Sequence, residues 1–445
     1  MFSPRSRCAL LLLLLAVTAP LWAQGAEPVF PPVLAGGEAV VVDTSEKFLV
    51  RAPSIREGVV MAKQAPRVTF AYFPEQDYAG KPWSNWGDSL AVGGKYYASI
   101  GDHLAPAGNA RVFEFDPATS KFRKLLDLAE ILPVSEGKYR PGKIHSRIDL
   151  GSDGWLYMST HRGSTKVTAD QFGYVGDYIV RCHPERGQGE VVAIGAVPKH
   201  CVPTSVLDPK RLIFYGGTAP GTDAPSQAIQ FFAYDCANQK LLYAGENGPP
   251  RYIAYAASTG RIYFTTGNSD TSDLMRFDPA TDKAPVKLAA QIGMRAATME
   301  TPDGLIYTVS SGQKGSDAMI YALDTKTETV REIGPAAVGG EAYIASLDVD
   351  PTGRYLYYVP GAHGGSDRDG GAVVQLDTKT KTRKVLCSLA PHYQEKYGFT
   401  LKGTYSTAID ATGERLYVNW NISRGSKAWD CCGLTMIEIP ASERP

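Results

Sequence analysis

From about residue 67 onward, short apolar segments rich in Val, Ile, Phe and Tyr alternate with turns built from Gly, Asp, Asn and Pro. Such spacing predicts consecutive β-hairpins rather than helices. One kind of hairpin turns at a glycine and carries an aromatic on its returning strand. It occurs at Gly94-Lys95-Tyr96-Tyr97, Gly154-Trp155-Leu156-Tyr157, Gly260-Arg261-Ile262-Tyr263, Gly304-Leu305-Ile306-Tyr307, Gly353-Arg354-Tyr355-Leu356-Tyr357 and Gly413-Glu414-Arg415-Leu416-Tyr417. Asp208 to Phe214 is a degenerate copy without the glycine.

A second hairpin follows each of these, with its own turn chemistry. Asp116-Pro117-Ala118-Thr119 recurs as Asp278-Pro279-Ala280-Thr281, and Asp324-Thr325-Lys326-Thr327 as Asp377-Thr378-Lys379-Thr380. His183-Pro184-Glu185-Arg186 and Asp235-Cys236-Ala237-Asn238 fill the gaps. Asp, Asn and Pro are the residues such turns demand. Two hairpins per unit, repeating every roughly 44 to 60 residues, mark four-stranded propeller blades. Seven units predict an all-β, seven-bladed β-propeller.

The last unit stops after a third strand, Leu434 to Ile439, close to the final residue Pro445. A fourth strand is available before the first blade, at Arg67 to Phe73. Pairing the two closes the ring and hides both sheet edges. The expected organisation is therefore a leader at 1–23 (cleaved after 23 or 26), an extension at 27–66 lying on the ring, and a propeller at 67–445.

Composition narrows the class. The 445 residues include Gly 45, Pro 30 and Tyr 24, with 44% hydrophobic positions. That is ample for a core and excludes a disordered chain, a coiled coil and a collagen-like repeat. Lys+Arg and Asp+Glu balance at 46 each, which argues against a nucleic-acid partner. Arg5 and Arg7 precede an apolar run from Ala9 to Val17 and a small-residue zone through Ala23 and Ala26. This reads as a cleaved signal peptide rather than a membrane span, so the expected locale is secreted or periplasmic. A monomer without a membrane span is expected. Six cysteines remain after cleavage: Cys182, Cys201, Cys236, Cys387, Cys431 and Cys432. Their spacing fits no zinc pattern. The adjacent Cys431 and Cys432 form a vicinal disulfide, pair elsewhere or stay as thiols, and the sequence leaves these open.

Candidate chemistry sits where strands open onto one mouth of the ring. Counting nine residues back from each turn glycine gives Asn85, His145, Arg251, Arg295, Ile344 and Thr404 as entries to the inner strands. The matching exits are His103, His161, Asn268, Ser311, His363 and Asn421. Five of the seven histidines, His103, His145, His161, His200 and His363, fall at or near these positions; His183 and His392 do not. His145 and His161 are equidistant from Asp153, which places them opposite each other across the ladder. Such a pair suits acid–base work, a metal or an anion clamp. Arg251 and Arg295 would pair a carboxylate or sulfate across the mouth. With Asn85 and Trp83 or Trp86 nearby, the pattern predicts a site for a polar, anionic ligand. No local spacing enforces a metal geometry, so no cofactor is required, although a divalent metal is compatible. There is no P-loop, dinucleotide-binding motif or nucleophile elbow.

An exported seven-bladed propeller with paired histidines at the mouth of its second blade resembles the β-propeller polysaccharide lyases, the ulvan lyases and rhamnose–glucuronate lyases among them. The resemblance covers the architecture after about Arg67, and its specific part is the hairpin bearing His145 and His161. It implies an anionic polysaccharide or oligosaccharide as partner and cleavage of a uronic-acid polymer by β-elimination. It also implies His145, His161 and Tyr215 as candidates for proton transfer. Asn85, Trp86, His103, His200, Arg251, Arg295 and His363 would contact the sugar, with an arginine masking the uronate charge. The sequence departs from that pattern in blade three, where Gly216 and Gly217 stand in place of an exit side chain. Two other readings remain open: a non-catalytic propeller that binds a ligand or protein, and a quinone-dependent oxidoreductase, for which Cys431-Cys432 is the only sequence support.

Overall fold

The computed structural model describes residues 27–444 apart from 35, 133, 268 and 313–315. The leader proposed for 1–23 lies outside the described residues. Antiparallel blades of four or five strands stand in a seven-membered ring. Blade one runs through Leu90–Val92, Lys95–Gly101, Ala110–Asp116 and Lys121–Asp127. Blade two has a broken inner strand, Lys143–Ile144 and Asp149–Leu150, followed by Leu156–His161, Tyr178–His183 and Gln188–Ile194. Blade three begins at His200–Asp208, blade four at Ile253–Ala256, blade five at Ala296–Ala297 and blade six at Asp348–Val349. Blade seven comprises Thr400–Ile409, Arg415–Ser423 and Cys431–Glu438, completed by Arg67–Tyr72.

That completing strand closes the ring. Arg67–Tyr72 pairs antiparallel with Cys431–Glu438, from Arg67 opposite Glu438 to Tyr72 opposite Gly433. Val40–Asp43 adds a fifth strand outside it, and Val60–Met61 joins the edge of blade six in parallel. The earlier residues thus cover two exposed edges with backbone pairing. Glu443, near the other end of the chain, accepts from the backbone N–H of Lys63 at 2.6 Å and from Lys384 at 2.7 Å.

The recurrent turns share one physical basis. In the second hairpins, Asp116, Asp278, Asp324 and Asp377 each accept from the backbone N–H two residues on, at 2.9–3.0 Å. In the first hairpins the turn needs a left-handed backbone, which glycine adopts without a Cβ penalty. Gly154 has φ 83° and Gly304 φ 85°; the degenerate copy holds Leu212 at φ 54° instead. Alternation along the strands then feeds apolar cores between neighbouring blades, such as Leu126, Ile144, Leu156 and Val180 between blades one and two. Among the described residues no helix is long and apolar enough to cross a membrane.

Candidate functional site

Trp86, at the entry of blade one, anchors the mouth. Its ring centroid lies 5.8 Å from that of His145 in a near-parallel stack, 5.7 Å from His103 edge-on and 4.5 Å from Tyr405. The Lys143 ammonium stands 4.6 Å over the indole. Trp86 itself is fixed by its Nε1–H, which donates to Ser84 Oγ at 2.6 Å.

His145 and His161 meet, but not in the expected register. His161 pairs with Lys143 and Thr160 with Ile144, whereas Tyr157 pairs with Asp149. Two extra residues are therefore accommodated in the entry strand, around Ser146. Its hydroxyl accepts from the Ser159 N–H at 2.7 Å and donates to the Ser159 carbonyl at 3.1 Å, standing in for a ladder rung. A slip of two keeps side chains on the same face, so the imidazole centroids still approach to 5.2 Å.

Each of these rings is held through Nδ1. His145 Nδ1 lies 2.7 Å from the Pro203 carbonyl, His161 Nδ1 3.1 Å from that of Arg162 and His103 Nδ1 3.0 Å from that of Pro82. A carbonyl only accepts, so in each case Nδ1 carries the proton and the neutral ring keeps its lone pair on Nε2. Burial, then the nearby Lys143 charge, pushes His103 down to about 4 and lowers His145 and His161 well below the usual imidazole range. All three are neutral at pH 7.

Blades four to seven supply the rest. Arg295 is buried, donates through Nε to the Tyr343 hydroxyl at 2.5 Å and through an Nη to the Ala345 carbonyl at 3.4 Å. Its guanidinium lies 4.9 Å over the Tyr343 ring and 6.0 Å from that of Tyr405. Neither Arg295 nor the exposed Arg251 has a carboxylate within ion-pair distance among the described residues. Tyr343 stacks on His363 at 4.3 Å, and the Tyr405 hydroxyl hydrogen-bonds His363 Nδ1. Burial raises the Tyr405 hydroxyl far above its ordinary value, which keeps it protonated. Trp86, His145, Arg251, Arg295 and Tyr405 line one small depression, with a cavity volume of about 20 Å³. Its floor is Asp88, Arg147 and Tyr252, where the Tyr252 hydroxyl donates to Asp88 at 2.8 Å and accepts from Arg147 at 3.1 Å.

Several expected residues lie elsewhere. Tyr215 is wholly buried between blades three and four, stacked on Phe231 with a centroid distance of 6.3 Å, and does not reach the mouth. His200 has both ring nitrogens engaged, with Thr218 Oγ1 at 2.8 Å and the Ser226 carbonyl at 3.0 Å. Asn85 is buried and interlocks with Asn421: its N–H donates to the Asn421 side-chain oxygen at 2.8 Å, and Asn421 Nδ2 donates back at 3.2 Å. Ile344 and Thr404 are buried too, and their neighbours Tyr343 and Tyr405 face the site instead. The nine-residue count is off by one in those blades. Polar side chains at Asn85 and Thr404 bridge to the carbonyls of Ser99 and Asn419, displacing the entry register as Ser146 does. Asn268 lies outside the described residues. Lys143, Tyr343 and Tyr405 also reach the site, and their only sequence signal is standing one or two residues from an entry position.

Two larger hollows lie at the opposite, turn-glycine end, one beside Gly154 and His183 and one beside Gly353 and Arg354. Some of their charged groups are paired, as Arg123 with Glu114 at 2.9 Å and Arg354 with Asp377 at 2.5 Å. The mouth depression, with its unpaired arginines, is the better candidate. No cluster of three or more His, Cys, Asp or Glu arranged to hold a metal ion occurs among the described residues. All six described cysteines are buried thiols. Cys431 and Cys432 point to opposite faces of their strand, into separate cores, which removes the sequence support for a quinone enzyme with a vicinal disulfide.

No protein-family model and no curated protein matches the chain. Solved structures do. An oligogalacturonate lyase in complex with manganese aligns at TM-score 0.54 and 11% identity, covering 91% of this chain and 98% of its own. An oligogalacturonate lyase from Vibrio parahaemolyticus aligns at TM-score 0.52 and 11% identity, over 92% and 99% of the two chains. A chain of the mitotic checkpoint complex aligns at 0.51 and 11%, over 88% and 97%. These are likenesses of fold. They bear out the seven-bladed ring, and the third shows that the same ring occurs in a quite different setting.

Proposed function

We propose that this protein is an exported, carbohydrate-active propeller that cleaves a uronate-bearing oligosaccharide or polysaccharide by β-elimination at its mouth. The observation that carries this reading is the convergence of Arg251, Arg295 and the Nε2 face of His145 on one depression with no protein carboxylate pairing the arginines. A buried arginine beside an exposed one, neither paired with a protein carboxylate, favours an anion from outside. The lyases among the fold neighbours lend support at the level of architecture.

Arg251 and Arg295 neutralise the uronate carboxylate, which acidifies the proton on the adjacent carbon. His145, neutral and locked with its lone pair on Nε2, takes that proton. The electron pair released from the C–H bond forms the new C=C bond as the C–O bond to the next sugar breaks. The departing oxygen takes its proton from Tyr405, which re-equilibrates through His363. Tyr343 holds Arg295 in place, and His161 supports His145.

Ultraviolet absorbance of the unsaturated uronate tests this with ulvan, rhamnose–glucuronate gums, pectin, alginate and glycosaminoglycans, each with and without divalent metal. The expected result is a rise with one polymer that disappears in His145→Ala while the fold survives. A flat trace across the panel overturns the lyase reading. If the same polymers still bind, the protein is a binding propeller.

A further inference from the structure

We infer that Lys143 forms a second anion subsite beside the arginine clamp, so that the ligand carries acidic groups on more than one sugar. The inference rests on the uronate reading above and names the class of ligand more closely: a polyanionic oligomer rather than a chain with one isolated acid.

Lys143 is half-buried at the entry of blade two and does not line the depression that holds Arg251 and Arg295. Its ammonium lies over Trp86, with His161 across the ladder and His103 on the neighbouring edge of the indole. Among the described residues none of its donors meets an acceptor, and no carboxylate lies within ion-pair distance. The nearest buried acid, Asp177, is already occupied by Tyr139 at 2.8 Å, Thr160 at 2.7 Å and Tyr174 at 3.2 Å. Arg162 adds a further positive charge on the same side. Around it, His103 and His161 are neutral rings that do not repel a second cation. A lysine held over an indole with three unused donors is short of one thing, an oxyanion.

The two cationic centres are linked through ring contacts only: Lys143 to Trp86, Trp86 to Tyr405, and Tyr405 to Arg295. One sugar's carboxylate on the arginines therefore leaves the next sugars running over Trp86 toward Lys143. The ammonium is also near its titration point: burial pushes its pKa down to about 8, and a bound carboxylate pulls it back up.

The test is calorimetric binding, with turnover blocked by His145→Ala, of galacturonate and mannuronate, each as monomer and as trimer. The trimer of the preferred sugar is expected to bind about tenfold or more tighter than its monomer, the worth of one charge-assisted hydrogen bond. Adding Lys143→Met should abolish that advantage without changing monomer affinity, and Lys143→Arg should restore it. The advantage should also fade above about pH 9 as the amine loses its proton. Arg295→Met should weaken monomer and trimer alike. A trimer advantage that survives Lys143→Met, or a trimer no tighter than the monomer, overturns the subsite and leaves the arginine clamp standing. Failure of every uronate to bind overturns both.

Discussion

His161 faces Lys143 across the second blade's inner ladder, and His145 lies two residues along on the same face. The two imidazoles thus meet across a slip of two positions that Ser146 bridges. Because strand side chains alternate, a slip of one would have sent His145 into the blade interior. The slip also brings an amine into the site, and that amine, with burial, keeps both rings neutral.

Ser146→Ala tests this support. It leaves the Ser159 N–H without its acceptor at a buried position. The expected cost is about 1–3 kcal/mol in denaturant unfolding. On the lyase reading proposed above, turnover should fall with it through a lower kcat rather than a higher KM, because Arg251 and Arg295 are untouched. Unchanged stability and kcat would show that the slipped register does not depend on the serine.

The neutral histidines set a pH signature. His103 is held at about 4 when folded, against 6.5 for an ordinary imidazole. The unfolded chain therefore binds this proton first as pH falls, and stability is lost from about pH 6.5 down to about 4, by roughly 3 kcal/mol for this one group. His103→Gln removes that term. Urea titrations at pH 7 and pH 4 should show a smaller acid loss in the variant than in the parent. Equal losses would mean that His103 is charged in the folded protein.

The ring, its count of blades and its closure were legible because they are written locally. Asp turns, turn glycines and aromatic return strands recur at fixed offsets, and Arg67–Tyr72 is the one unassigned apolar strand that can cap the last blade. The site was legible only by region. His145, Arg251, Arg295 and Trp86 do line the depression, and His363 borders it through Tyr343 and Tyr405. Which of two adjacent residues faces the mouth depends on side-chain rungs such as Asn85 to Ser99 and Thr404 to Asn419, which carry no pattern. A fixed nine-residue count therefore lands on the buried Asn85, Ile344 and Thr404 rather than on their neighbours Trp86, Tyr343 and Tyr405. Tyr215 could not be placed for a related reason: strand parity in blade three turns it toward Phe231.

Beside Asp88, Arg147 and Tyr252, Asp348 accepts from Thr407 at 2.5 Å. Burial raises its carboxyl to about 7, so it is protonated when the folded protein is mildly acidic. An ordinary Asp near 3.8 is already ionised there, so the folded state binds the extra proton and gains stability as pH drops through about 7. Asp348→Asn mimics the protonated acid at every pH. The variant is expected to be near-neutral at pH 5 and more stable than the parent at pH 8.5, by up to about 4 kcal/mol if the full shift is realised. Thermal melts at the two pH values decide it: a benefit that does not grow with pH would place the carboxylate, ionised, in a favourable site.

Closure of the ring is the last dependence. Phe70 sits in the completing strand, fully buried, with ring contacts to Phe399 at 4.7 Å, Tyr72 at 5.1 Å and Tyr393 at 5.3 Å. It belongs to a strand paired on both sides, with Val40–Asp43 and with Cys431–Glu438. Phe70→Ala should therefore cost about 3–5 kcal/mol, the transfer term plus the cavity left among these rings. Local loosening should follow, since this strand ties the first blade to the last. Hydrogen exchange should speed up in 67–72 and 431–438 while blades three to five, on the far side of the ring, keep their protection. Uniform loss of protection around the ring would instead mean that the propeller opens as one unit once its closing strand is weakened.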